Sequence, residues 1–170
     1  MRLIRRLAFV LFWMVPGGAV LGQEACHPVP LAPGPEDLAL DRDAAPSRLV
    51  VSTQPRRGWG APDNGAIWSV PLLPGGPGVP ERFTLEGREA GEPFHPLGIA
   101  LGYGDGRRLL YVVSRLEDGS HRQIEVFEIG DGALRRARPP LRDPLLSSPN
   151  DLAVLSGGEL YVTNDRARHG

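Results

Sequence analysis

The sequence predicts an all-β fold, and three observations carry that prediction. Apolar residues come in short runs of Val, Leu, Ile and Tyr, and no ten-residue stretch beyond the N-terminus carries a helical stripe. Turn signals built from Gly, Asn and Asp separate the runs. The same order of short strand, turn, longer apolar strand, loop and alternating strand recurs along the chain.

The first element is a targeting segment. Arg2, Arg5 and Arg6 precede the uncharged apolar run Leu7 to Val15, and small residues follow up to Gly22. That is the three-part layout of a secretory signal peptide. Residues 1–22 are therefore read as a signal peptide, or as an uncleaved membrane anchor that would tether the protein to a membrane. Either way the rest, residues 23–170, is expected in an exported compartment, periplasmic or secreted.

Composition narrows what that part can be. The chain has 170 residues, which fits one domain. Its 22 Gly and 18 Pro are offset by 41% hydrophobic residues, so disorder is not the expectation. Its 19 basic and 20 acidic residues give a net charge of −1, which rules out a bulk-charge case for nucleic acid or an anionic membrane. The single cysteine, Cys26, excludes a disulfide scaffold and a cysteine-based zinc finger.

The strands follow in order. Arg48 to Ser52 is a short apolar run, and Ala66 to Val70 is a weaker one. Pro71 to Pro80 reads as a loop. Leu109 to Ser114 and Glu159 to Thr163 are rich in Val, Leu and Tyr, and Ile124 to Ile129 alternates as a half-buried strand does. The units open with EDLAL, LGIAL and NDLAV, with anchors Leu40, Leu101 and Leu155 spaced 61 and 54 residues apart. A strand-only period of this size points to blades of a β-propeller, about two and a half of them. A generic antiparallel sandwich with coincidental spacing is the alternative. A propeller closes a ring of about four to eight blades, so the chain is expected to be the N-terminal, truncated part of a larger ring.

Two doublets could carry chemistry. Glu36-Asp37 opens the first unit and Asn150-Asp151 opens the third. Each precedes the innermost strand of its blade, and neighbouring residues of an extended chain point to opposite sides. Two such doublets converging on the axis could serve two ions, one above the other. The donors are all oxygen, which suits calcium and argues against zinc or copper. Turn chemistry explains either doublet alone; their placement at equivalent points of two repeats favours the ion. Walker loops, dinucleotide fingerprints, G-x-S-x-G elbows and helical H-E-x-x-H motifs do not occur.

The stretches C-x9-E-D-L, F-x-P-x-G-I, LYVV followed by I-E-V-F-E, and P-N-D-L-A-V with LYVTND occur in that order from Cys26 to Asp165. In these the chain resembles the N-terminal half of the serum paraoxonase/arylesterase family, part of the wider calcium-dependent propeller group that includes gluconolactonases. The resemblance implies a six-bladed propeller with two calcium ions in its tunnel, acting on small-molecule esters or lactones. It implies Glu36 and Asn150 as ligands of a catalytic calcium. It implies Asp37, Asp151 and the backbone carbonyl of Ile99 as ligands of a buried structural calcium. Cys26 matches a family cysteine whose disulfide partner lies near the family's C-terminus, beyond Gly170.

The chain departs from the family at the histidine dyad, where it carries Leu97 and Arg115. Of its four histidines, His27 and His169 lie near the chain ends, His121 follows a turn, and His95 sits two residues before Leu97. Arg115 could hold a substrate carboxylate or an oxyanion, but stays protonated and cannot serve as a base. Calcium can polarise an ester carbonyl while a carboxylate orients water. The catalytic candidates are therefore Asp165, Arg115 and His95, with a non-catalytic, calcium-stabilised propeller that binds a ligand or partner as the alternative.

Overall fold

The computed structural model describes residues 28–32, 34–55, 65–115 and 121–165. Residues 1–22, expected as a signal peptide or anchor, and Cys26, His27 and His169 lie outside the described residues. The described residues are all-β and form a propeller-like arc of three sheet modules.

The first module is built from β1 (Pro35–Asp41), β2 (Arg48–Thr53), β3 (Ala66–Leu73) and the two-residue β4 (Gly76–Pro77) and β5 (Glu81–Arg82). The segment expected as a loop from Pro71 to Pro80 thus carries the end of β3 and β4. Leu72 and Leu73 pair with Pro77 and Gly76 around a tight turn, and Gly76 adopts the positive φ of 123° that glycine tolerates. The second module orders β6 (Thr84–Glu86), β10 (Ala133–Arg136), β9 (Arg122–Ile129), β8 (Arg107–Arg115) and β7 (Pro96–Gly104). The strands β6 and β10 carry too few residues to show a period. The third module pairs β11 (Pro149–Val154) with β12 (Leu160–Asn164).

Strand alternation decides which face meets which neighbour. Leu110, Val112, Phe127 and Ile129 of the second module face the first and pack on Val50 and Ile67. Leu109, Tyr111, Val113 and Val126 face the third and pack with Leu152, Val154, Leu160 and Val162. The middle sheet is therefore covered on both sides. Each of its buried large apolar side chains contributes about 1.5–3 kcal/mol. This also corrects the reading of Ile124 to Ile129 as a half-buried strand, since Gln123, Glu125 and Phe127 are all 0% exposed.

A buried clamp joins the first two modules at their other end. Arg48 donates from Nε to Asp41 at 2.9 Å, and from its two terminal nitrogens to the carbonyls of Asp131 and Gly130. Arg108 donates to the other Asp41 oxygen at 2.9 Å. Asp41 is 2% exposed, so one carboxylate is shared by two arginines from adjacent sheets.

Candidate functional site

The three innermost strands share one irregularity. The ladder slips between Pro35 and Asp37 in β1, between Pro96 and Ile99 in β7, and between Pro149 and Leu152 in β11. Proline has no N–H to continue the ladder, so each strand bulges just after it. The carbonyl before each proline is tied down in the same way. Gly34, His95 and Ser148 accept from the N–H of Gln54, Arg115 and Asp165 at 2.8, 3.1 and 2.9 Å. These prolines lie 61 and 53 residues apart. The recurring apolar position of the third unit is therefore Val154; Leu155, expected as the anchor, lies one residue past the strand.

The bulges aim the doublets. Asp37 Oδ1 accepts from the N–H of Leu38 at 2.7 Å, and Oδ2 accepts from the N–H of Ile99 in the next module at 2.8 Å. Asp151 Oδ1 accepts from the N–H of Leu152 at 2.7 Å in the same manner. A hydroxyl on the neighbouring strand braces each turn: Ser52 Oγ accepts from Asp37 N–H at 3.1 Å, and Thr163 Oγ1 from Asp151 N–H at 3.0 Å. Ser52 also donates to the Leu97 carbonyl at 2.6 Å.

In the middle module the position of the second acidic residue is Gly98. A Cβ there would stand 2.5 Å from Asp151 Oδ1 and 2.7 Å from the Asn150 carbonyl, and would collide with the Asp151 Cα. The Gly98–Ile99 segment is thus flanked by Asp37 on one side and by Asp151 on the other. Sequence reasoning missed Gly98, Ser52 and Thr163. The aligned P-x-D/G-L/I pattern was the signal for Gly98.

Glu36 is half-buried and Asn150 is exposed at the bulge of each doublet. Among the described residues no group of three or more His, Cys, Asp or Glu side chains sits together. Each expected ligand set draws at most two acidic side chains from this chain, with an Asn or a backbone carbonyl added.

The three catalytic candidates occupy one row at this end of the arc. His95 Nδ1 is 3.1 Å from Gln54 Nε2, which donates to it. Arg115 donates to Asp165 Oδ2 at 3.1 Å and to the Ser148 hydroxyl. Arg115 therefore ties Asp165 and Ser148 of the third module to β8 across the module boundary. Leu97 is 7% exposed and packs in the apolar layer with Leu152.

His121, which follows the turn, is half-buried rather than solvated, with Nε2 3.4 Å from the Ser114 hydroxyl. It lines a cleft of about 540 Å³ with Glu89, Glu92, Arg136 and Arg142. Burial pushes the His121 ring below its ordinary value of 6.5, against the pull of Glu125 and Glu92. Burial also raises Glu92, but hydrogen bonds from Arg136 and Gln123 outweigh it and hold the carboxyl below 4.5. Both groups bind more protons in the unfolded chain, so both make stability rise with pH. The His121 contribution is intact above 6.5 and is lost as pH falls through the folded value, and the Glu92 contribution is lost in the same way below 4.5. Denaturation midpoints measured from about pH 8 to about pH 2 are expected to fall in two stages, with His121→Asn removing the first.

No protein-family model matches the chain. It is 35% identical over 79 residues to Mechanosensory abnormality protein 6 of Caenorhabditis elegans, a match covering 46% of this chain and 20% of that protein. The chain thus spans about a fifth of the length of this relative.

Proposed function

We propose that the bulge end of the arc is the hub of a calcium-dependent hydrolase of small-molecule esters or lactones, of the paraoxonase-like type. The observation that supports it is the convergence of Asp37, the Gly98–Ile99 segment and Asp151 from three modules. The donor chemistry fits calcium. A carboxylate offers about four lone-pair sites. The backbone N–H groups that Asp37 and Asp151 accept orient those oxygens without exhausting them. Asp37, Asp151 and the Ile99 carbonyl would hold one ion, and Glu36 and Asn150 a second. A bound calcium would supply Lewis-acid polarisation of an ester carbonyl.

The chain's own groups do the rest. Arg115 positions the Asp165 side chain, whose oxygens can accept a hydrogen bond from an attacking water. Gln54 orients the His95 ring, with Nδ1 as acceptor. The N-terminal segment would place this hub in an exported setting, free or held at a membrane; among the described residues no helix is long and apolar enough to cross one.

A second reading is a calcium-stabilised propeller that binds a ligand without turnover. The apolar burial of Leu97 and the engagement of Arg115 by Asp165 favour it, since neither position supplies a base. Hydrolysis of phenyl acetate and of a γ-lactone, each with calcium and with EGTA, separates the two. The hydrolase reading expects turnover that EGTA abolishes and that Asp165→Asn lowers by a factor on the order of a hundred. Calcium binding without turnover leaves the second reading.

A further inference from the structure

The cleft beside His121 belongs to the middle module, and the sheet holds its walls in place. They come from the loop Glu89 to Pro93 that leads towards β7, from His121 ahead of β9, from Arg136 at the end of β10, and from Pro140 and Arg142 in the segment after β10. That segment is pinned by a two-way backbone bridge between Leu141 and Ile124, at 2.9 Å in each direction. The next residue, Arg142, donates from Nε to Gln123 Oε1 at 2.9 Å, and Gln123 is 0% exposed. Arg136 gives one terminal nitrogen, Nη2, to both Glu92 and Glu125. Each guanidinium is thus fixed along one edge. Arg136 Nη1 and both terminal nitrogens of Arg142 have no hydrogen-bond partner among the described residues. Charge points the same way. Arg88, Arg136 and Arg142 are joined in one network with only Glu92 and Glu125, which leaves one positive charge over. Glu89 lines the cleft from an exposed position and pairs with neither cleft arginine among the described residues.

We propose that this cleft is a binding site for a small polar monocarboxylate, whose carboxylate group the free nitrogens of Arg142 and Arg136 hold. The inference does not depend on the proposed hydrolase activity. A guanidinium presents its N–H groups as a planar fork that matches a carboxylate, and one already held along its other edge loses little freedom on binding. The volume of about 540 Å³ lies within the range of small-molecule sites, roughly 300–1,000 Å³. The single surplus positive charge calls for a monoanion. A second negative charge on the ligand would meet Glu89 and Glu92, which line the same cleft. The walls are mostly polar, with Ala90, Pro93 and Pro140 as the apolar part, so the rest of the ligand is polar as well. The site also touches the row of catalytic candidates. His121 Nε2 lies 3.4 Å from the Ser114 hydroxyl, which accepts from the His95 N–H at 3.2 Å.

Titration of the full chain with lactate, followed by NMR in calcium-free buffer at constant ionic strength, tests this. The His121 ring resonances, identified by their loss in His121→Asn, are expected to move saturably. Arg142→Gln, at an exposed position, is expected to keep the fold and to weaken binding on the order of tenfold or more, the loss of a hydrogen bond to a charged group. Glu89→Gln is expected to tighten binding by about twofold or more, because it removes a like charge beside the ligand. A variant that merely unfolded could not do that. Arg135→Gln, whose side chain is 73% exposed and paired with Glu86 outside the cleft, is expected to leave binding unchanged. Inorganic phosphate is expected to bind more weakly than lactate. His121 resonances that do not move, equal losses in Arg142→Gln and Arg135→Gln, or phosphate binding more tightly than lactate would overturn the inference. With calcium absent, none of these outcomes turns on the metal or hydrolase reading of the hub.

Discussion

Glu125→Ala is expected to destabilise the protein by about 3–5 kcal/mol, because deleting one partner of a buried ion pair strands the other charge. Glu125 is 0% exposed. Arg88 grips it with two nitrogens, at 3.0 and 3.2 Å, and Arg136 with a third, at 2.7 Å. Arg88 in turn donates to the carbonyls of Glu92 and Pro93 and lies 4.6 Å over the Phe94 ring. Arg136 also holds Glu92, and Gln123 links Glu92 to Arg142. This network fixes the segment that leads into His95 and Pro96, so its loss is expected to loosen the entry to the hub as well. Urea denaturation checks the energy, and a change within about 0.5 kcal/mol, as at ordinary surface sites, would contradict it. Glu125→Gln, which keeps the shape and some of the hydrogen bonds, is expected to fall between the two.

Gly98→Ala is expected to cost about 1–3 kcal/mol, the range for forcing extra atoms into packed structure. The clash here is with the Asp151 main chain, which cannot swing aside as a long side chain can. Relief requires β11 to move away from β7. The loss is therefore expected to concentrate in the third module, with faster amide hydrogen exchange in β11 and β12 than in β8 and β9. Uniform acceleration across all three modules, or none, would contradict the placement of Asp151 against Gly98.

Much of this architecture was legible in the residues. The runs around Val50, Val112 and Val162 carry strand composition, and the prolines before each doublet mark the ends of the innermost strands. The E-D-L and N-D-L repeats marked two of the three positions where the strands bulge, though not the bulges themselves, because acidic residues at equivalent points stand out. The third was hidden, since Gly98 contributes by lacking a side chain, and only contact with Asp151 reveals that role. Glu125 was hidden for a different reason. Within its strand it reads as a solvent-facing residue, and nothing local shows that arginines from two distant segments neutralise it. The link between Arg115 and Asp165 spans 50 residues and is likewise invisible to pattern. The cleft beside His121 depends on the packing of the loop at Glu89 to Pro93, which carries no period.

The central claim is that carboxylates from separate modules meet at one end of the arc to hold calcium. Isothermal titration of the full chain with calcium, beside Asp37→Asn and Asp151→Asn, tests it most directly. The account predicts saturable binding in the parent protein. It predicts a loss of affinity on the order of tenfold or more in each variant, because ligand charge sets calcium affinity. Absence of saturable binding in the parent protein, or isotherms unchanged by both substitutions, would contradict it.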